Sequence, residues 1–120
     1  MDRADTERRQ HDRLELVAEI AMSRGGDISR LRASNISAGG LRIDLAPGEY
    51  PGVEIGTCVR VRMDLGSDQH GRPLDIDAEA EVVRVDLGGP DRNPGFGLMW
   101  TSTESAVARQ LAVILEYLHG

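Results

Sequence analysis

Most of this chain alternates between apolar and polar residues, and this period of two restricts its possible folds more than any other feature. Over 59–65, for example, every second residue is apolar, and the residues between are Arg or Asp. A strand with one buried face has this pattern, because successive side chains point to opposite faces. Turns rich in Gly and Pro separate the alternating segments. We therefore predict six strands: from Leu14 to the Gly25-Gly26 turn, and over 28–34, 41–45, 59–65, 75–85 and 96–100.

The fifth predicted strand changes phase near its end. Up to Val82 its apolar residues occupy even positions, whereas Val83 and Val85 then follow on odd positions. Such a slip predicts a bulge or a bend, as is needed where a sheet closes into a barrel.

The period becomes helical after Trp100. Thr101 and Glu104 have the spacing of a capping box, and an apolar stripe follows them. We predict a C-terminal helix of roughly four turns that covers the barrel. The predicted fold class is therefore mainly β, a six-stranded antiparallel β-barrel with a C-terminal α-helix. The stripe consists of Val107, Leu111, Ile114, Leu115 and Leu118.

The first 13 residues differ from the rest of the chain. They contain four arginines and four acidic residues and offer no apolar face. Such a segment has nothing to bury by itself, so we expect a flexible N-terminal arm over 1–13. The folded domain is expected over 14–120.

The composition excludes several classes of protein. A net charge of −6 argues against general nucleic-acid binding, which needs clustered positive charge. The apolar runs are far shorter than the roughly 20 residues of a membrane-spanning helix. The single cysteine, Cys58, cannot form an internal disulfide, and no secretion leader opens the chain. We therefore expect a cytoplasmic protein that does not insert into membranes.

The sequence gives no support for an enzyme or a metal site. The three histidines lack the spacing of metal ligands, and Cys58 has no base placed near it by a motif. Cys58 is interpreted as a small core residue at the start of a strand. The acidic residues at every second position from Asp75 to Glu81 are interpreted as one solvated strand face. Trp100 is interpreted as a core or rim residue.

Two polar elements carry the candidate chemistry. One is Arg9-Gln10-His11-Asp12-Arg13, and the other is the segment 35–40, Asn-Ile-Ser-Ala-Gly-Gly. The residues between them are predicted to form a strand, a turn and a second strand. A hairpin of this length returns its end beside its start, so the two elements can share one site.

The residue types of the two elements complement each other. Arginine can grip a phosphate, or the O6/N7 edge of guanine, with two parallel hydrogen bonds. Asn35 can pair with a guanine edge, and Ser37 can donate its hydroxyl to a phosphate oxygen. Gly39 and Gly40 permit positive φ, which would turn backbone N–H groups toward an anion. The sequence therefore predicts a pocket for guanine and phosphate.

Five of these residues, namely Arg9, Arg13, Asn35, Ser37 and Gly40, fill the pattern RxxxR followed by D/N-x-S-x-x-G. At these positions, and in its order of predicted elements, the chain resembles the PilZ family. The resemblance implies binding of cyclic di-GMP, with the arginines on its phosphates and guanines and Asn35 on a guanine. It also implies that Ser37 and Gly40 shape the turn. An arginine directly before RxxxR, here Arg8, implies a stacked pair of ligands, hence two molecules per chain.

The predicted function is a non-enzymatic receptor and adaptor domain. It would change conformation on binding cyclic di-GMP and signal to an effector protein whose identity the sequence does not give, with no metal or cofactor besides the ligand. The alternative is an adaptor of the same fold that does not use the nucleotide. A barrel that binds single-stranded nucleic acid is disfavoured by the net charge and by the absence of interleaved aromatic residues.

Overall fold

The computed structural model describes residues 14–119. They form six strands followed by one helix, as the alternation predicts. The elements are β1 (Leu14–Arg24), β2 (Asp27–Ile36), β3 (Gly40–Asp44), β4 (Cys58–Ser67), β5 (Pro73–Asp86), β6 (Gly95–Trp100) and α1 (Ser105–His119).

The six strands close into an antiparallel barrel with the order β1-β2-β3-β6-β5-β4. The barrel closes where β1 pairs with β4, for instance through Ile20 and Met63. The predicted fold class is confirmed. The predicted domain over 14–120 and the predicted arm over 1–13 remain predictions, because residues 1–13 lie outside the described residues.

The core is aliphatic, as the scarcity of aromatic residues requires. Every second residue of each main strand points inward, and Phe96 is the one aromatic residue in the buried core of the described chain. Helix α1 packs against β5 and β1 and buries Val107, Leu111 and Ile114. The predicted apolar stripe of the helix is therefore the face that meets the barrel.

Register shifts occur in four strands, and the one in β4 lies between Asp64 and Ser67. The pairing of β5 with β6 shifts by one residue between Val82 and Arg84, which confirms the slip seen in the sequence. Val83, the extra residue, is 44% exposed. Further shifts occur in β1 between Glu15 and Ala18, and in β2 between Ala33 and Asn35.

The capping box predicted at Thr101 is wrong. The backbone N–H groups of Thr101 and Ser102 both donate to the carbonyl oxygen of Glu79, at 2.9 and 3.4 Å. These two residues therefore remain attached to β5 beyond the end of β6. The helix begins later, at Ser105, and the Glu104 carbonyl accepts its first backbone bonds, from Val107 and Ala108.

Cys58 is exposed, so its interpretation as a core residue is also wrong. The buried residues of β4 are Val59, Val61 and Met63, which places Cys58 on the opposite, outer face. A position at the start of an apolar strand does not by itself determine the face, because the face depends on the register.

The acidic row of β5 lies on the outer surface, as predicted. Asp77 accepts from Arg60 at 2.6 Å, and Glu79 lies 3.6 Å from the same guanidinium. Hydrogen bonding to Asp77 raises the pKa of Arg60. Among residues 14–119, no group of His, Cys, Asp and Glu is arranged to hold a metal ion. The described part of the chain also has no helix with the length and apolarity to span a bilayer.

Candidate functional site

The β1–β2 hairpin brings the start of β1 beside the 35–40 turn. Leu14 pairs with Ile36, and Glu15 pairs with Asn35, so the first residues of β1 lie beside the start of the 35–40 turn. The expected return of the hairpin is therefore confirmed. Arg8, Arg9 and Arg13 lie outside the described residues, but the chain that follows Arg13 enters the barrel next to this turn.

Ser37 organises the turn from inside. Its side-chain oxygen accepts hydrogen bonds from the backbone N–H groups of Gly39 and Gly40, at 3.1 and 3.2 Å. Its own N–H donates to the Gly40 carbonyl at 2.9 Å. Only 2% of Ser37 is exposed, and it is the one buried polar residue of the described chain. Ser37 therefore holds the shape of the turn.

The two glycines of the turn do not act as the sequence suggested. Neither Gly39 nor Gly40 has a positive φ, and their N–H groups already bond Ser37. Gly40 is needed for another reason: a Cβ there would overlap the carbonyl oxygen of Leu98 on β6. The predicted positive φ and anion-facing amides are therefore wrong, because the serine oxygen and the close approach of β6 determine the turn.

Trp100 holds the turn from the other side. Its indole N–H donates to the Ser37 carbonyl at 3.1 Å, and its backbone N–H donates to the Gly39 carbonyl at 3.0 Å. Trp100 is partly buried against the core, which agrees with its interpretation as a core or rim residue. Its contact with the turn was missed, because 63 residues separate Trp100 from Ser37 and no local pattern reports such a pairing.

The outer surface beside the turn carries a charged network. Arg42, the cross-strand partner of Asn35, donates to Asp44 at 3.0 Å, to Asp86 at 3.3 Å and to the Asn93 carbonyl at 3.3 Å. The amide of Gly88, which donates to Asp86, and the Arg42 guanidinium hold the pKa of Asp86 below its ordinary value. Asp86 therefore stays ionised and balances Arg42.

The model of the PilZ domain family matches residues 7–117, nearly the whole chain. The chain belongs to the PilZ domain family. The match includes Arg8, Arg9 and Arg13, and it extends through β6 into α1. A comparison with curated proteins found no match.

Several solved structures share this PilZ fold. The PilZ domain with c-di-GMP of YcgR from Escherichia coli is 18% identical, with a TM-score of 0.70, over 93% of this chain and 92% of that one. Bacillus subtilis MotI/DgrA, an inhibitor of motility, is 24% identical with a TM-score of 0.70, and the match covers 90% of this chain. The K. pneumonia MrkH–c-di-GMP complex is 14% identical with a TM-score of 0.63, again over 90% of this chain.

This PilZ chain spans about half the length of two of those proteins. The match covers 50% of the MotI/DgrA chain and 50% of the MrkH chain. PilZ domains are binding and adaptor domains. In this one, the described candidate residues Asn35, Ser37, Gly39 and Gly40 lie together at the turn between β2 and β3.

Proposed function

We propose that this PilZ domain is a receptor for cyclic di-GMP that catalyses no reaction and signals to a partner protein in the cytoplasm. The pairing of Leu14 with Ile36 supports the proposal, because Leu14 directly follows Arg13 in the sequence and lies beside the Asn35–Gly40 turn. Related folds whose structures contain c-di-GMP, those of YcgR and MrkH, support the choice of ligand.

The proposed roles follow from the chemistry of each group. Arg9 and Arg13 would grip phosphates and guanine edges, since a guanidinium offers a planar fork of donors. Asn35 would bind a guanine through its amide. Ser37 and Gly40 would act indirectly, by holding the turn in shape, because their polar groups are used within the turn.

Titration calorimetry of the whole chain with cyclic di-GMP tests the proposal. We expect saturable binding with two ligands per chain, and a ratio near one for Arg8→Ala, because Arg8 would bind the second ligand of a stacked pair. Equal ratios near one for both proteins would contradict the stoichiometry. If the protein does not bind cyclic di-GMP even at high ligand concentration, the proposed receptor function is wrong. An adaptor that does not use the nucleotide would then be favoured.

We further propose that the ligand joins the segment 3–13 to the turn, which changes the surface presented to a partner. Neither part holds all the contact groups, and a ligand with two phosphates and two guanines can bridge them. Ordering a residue costs about 1 to 2 kcal/mol of backbone entropy, so only residues near the arginine contacts should be held. Amide hydrogen exchange over 1–13 is expected to slow at saturating cyclic di-GMP. Unchanged exchange, despite measured binding, would contradict this mechanism.

A further inference from the structure

An open groove lies between helix α1 and the 35–40 turn. Its volume is about 350 Å³, and most of the side chains that line it are apolar. The barrel contributes Ala38 and Trp100 to the lining, and the helix contributes Ala108 and Ala112, which are exposed to solvent. A concave apolar surface beside a candidate ligand site is typical of a place where another molecule docks.

The exposed side of helix α1 is poor in charge. A helix on the surface of a soluble protein normally carries charged residues opposite its buried face. Before His119, however, Arg109 and Glu116 are the only charged residues of α1. Ala108 and Ala112 are four residues apart and therefore lie on one side of the helix. Their short side chains leave open a groove that longer side chains would fill.

Acidic side chains border the groove where it meets β5. Glu104 lines it, and Glu79 adjoins it, because the backbone N–H of Glu79 donates at 2.7 Å to a serine hydroxyl of the lining. Hydrogen bonding to Asp77 and attraction by Glu79 and Glu104 raise the pKa of Arg60, so these three carboxylates share its guanidinium. Arg62 contacts Asp77 as well, at 3.7 Å. The border therefore keeps an excess of negative charge.

Charge and apolarity together determine which occupant fits. The first 13 residues carry four positive and four negative side chains, so residues 14–120 hold the whole net charge of −6. A second copy would bring like charge to the groove, which opposes association. The segment 1–13 has only Met1 and Ala4 as apolar residues, too few to fill an apolar groove. A partner that is apolar on one side and basic on the other matches both the lining and its border.

The groove and the candidate site turn are in direct contact. Ala38 lies between Ser37 and Gly39 in the turn and also lines the groove. Trp100, another lining residue, donates to the carbonyl oxygens of Ser37 and Gly39 at 3.1 and 3.0 Å. A displacement of the turn would therefore move one side of the groove. Two sites that bias the same element change each other's affinity by the same factor.

We propose that this groove docks an amphipathic helix of a partner protein, with apolar side chains in the groove and Lys or Arg side chains toward Glu104 and Glu79. Helices that bind in this way present apolar anchors three and four residues apart. The groove itself does not depend on cyclic di-GMP. Control of docking by cyclic di-GMP rests on the proposed receptor function.

Two labelled peptides probe the groove. Each has about 18 residues, long enough to form a helix, with Leu on one face and either Lys or Glu on the other. Fluorescence anisotropy measures their binding to the whole chain. We expect the Lys peptide to bind with a salt-dependent affinity, and the Glu peptide to bind at least about ten-fold more weakly. Equal affinities would overturn the assignment of a basic partner.

Variants that keep the net charge test where the peptide binds. Ala108→Gln and Ala112→Gln place a longer polar side chain in the groove, and glutamine is a good helix former, so the fold should be retained. We expect each to weaken binding of the Lys peptide by about ten-fold. The control, Ala106→Gln, changes an exposed alanine of α1 that does not line the groove, and its affinity should stay within about two-fold of wild type. Equal affinities in all three variants would overturn the proposal.

Glu104→Gln tests the acidic border. We expect it to weaken binding of the Lys peptide by about two- to five-fold at low salt, and by less at high salt. Its matched control is Glu54→Gln, an exposed glutamate between β3 and β4, which should bind as wild type does. The same affinity in both variants would overturn the contact with Glu104.

The remaining outcomes separate the groove from the receptor function. Saturating cyclic di-GMP should change the affinity for the Lys peptide by about five-fold or more. An unchanged affinity, with cyclic di-GMP bound, would overturn control by the ligand. Peptide binding in a wild-type protein that does not bind cyclic di-GMP would support the groove and refute the receptor function. A dimer in sedimentation that Ala112→Gln dissociates would show that a second copy occupies the groove, and would overturn the proposal.

Discussion

Replacing Arg9 or Arg13 with alanine is expected to weaken cyclic di-GMP binding by about ten- to hundred-fold for each residue, because a hydrogen bond to a charged group is worth about 1.5 to 3 kcal/mol. The double variant should bind below the range of calorimetry. Both residues precede Leu14, which the barrel places beside the turn. The expected loss therefore concerns the ligand and not the stability of the fold.

A matched control separates loss of contact from loss of charge. Arg30→Ala removes one positive charge from an exposed position on β2, where the side chain is 73% exposed and only 3.4 Å from Glu19. Its cyclic di-GMP affinity should stay within about two-fold of wild type, since exposed ion pairs contribute little and distant charges are screened. If Arg9→Ala and Arg13→Ala bind cyclic di-GMP with the same affinity as Arg30→Ala, the proposed location of the site is wrong.

Replacing Gly40 with alanine is expected to lower the free energy of unfolding by roughly 2 to 4 kcal/mol. The added Cβ would overlap the Leu98 carbonyl, and that oxygen belongs to the β3–β6 pairing and cannot move alone. The turn bonded to Ser37 would shift with it, so cyclic di-GMP binding should weaken as well. Urea unfolding measures the first effect, and calorimetry at low temperature measures the second.

Gly89→Ala is the control for this variant. A Cβ at Gly89 meets no heavy atom within 4 Å, and the residue has no positive φ. Its free energy of unfolding should stay close to that of wild type. If Gly40→Ala unfolds at the same urea concentration as Gly89→Ala, the close approach of β3 and β6 does not constrain this position.

The fold could be predicted because burial of one face of a strand requires an apolar residue at every second position of the sequence. The alternation of Val59, Val61 and Met63 follows directly from one face of β4 being buried, and the slip after Val82 marks a real bulge. Cys58 and Thr101 were placed wrongly because each lies at the end of a strand. At a strand end, pairing with a strand distant in sequence determines which face a side chain takes and where the strand stops. The local sequence pattern does not indicate that pairing.

The candidate site was predictable only in part, for the same reason. A hairpin is local, so the meeting of Leu14 with Ile36 could be expected from the intervening turn. The bonds of Ser37 to the two glycine amides, and the contact of Gly40 with Leu98, depend on atomic detail and on a pairing across 58 residues.

Trp100 gives the folded protein an intrinsic fluorescence signal that comes from beside the candidate site. It is the single tryptophan of the chain, and its indole N–H is bonded to the carbonyl of Ser37 in the candidate site turn. Indole emission responds to the polarity and hydrogen bonding around the ring. Light absorbed by tryptophan is therefore re-emitted from beside the β2–β3 turn, so the domain carries its own fluorophore there and needs no attached dye.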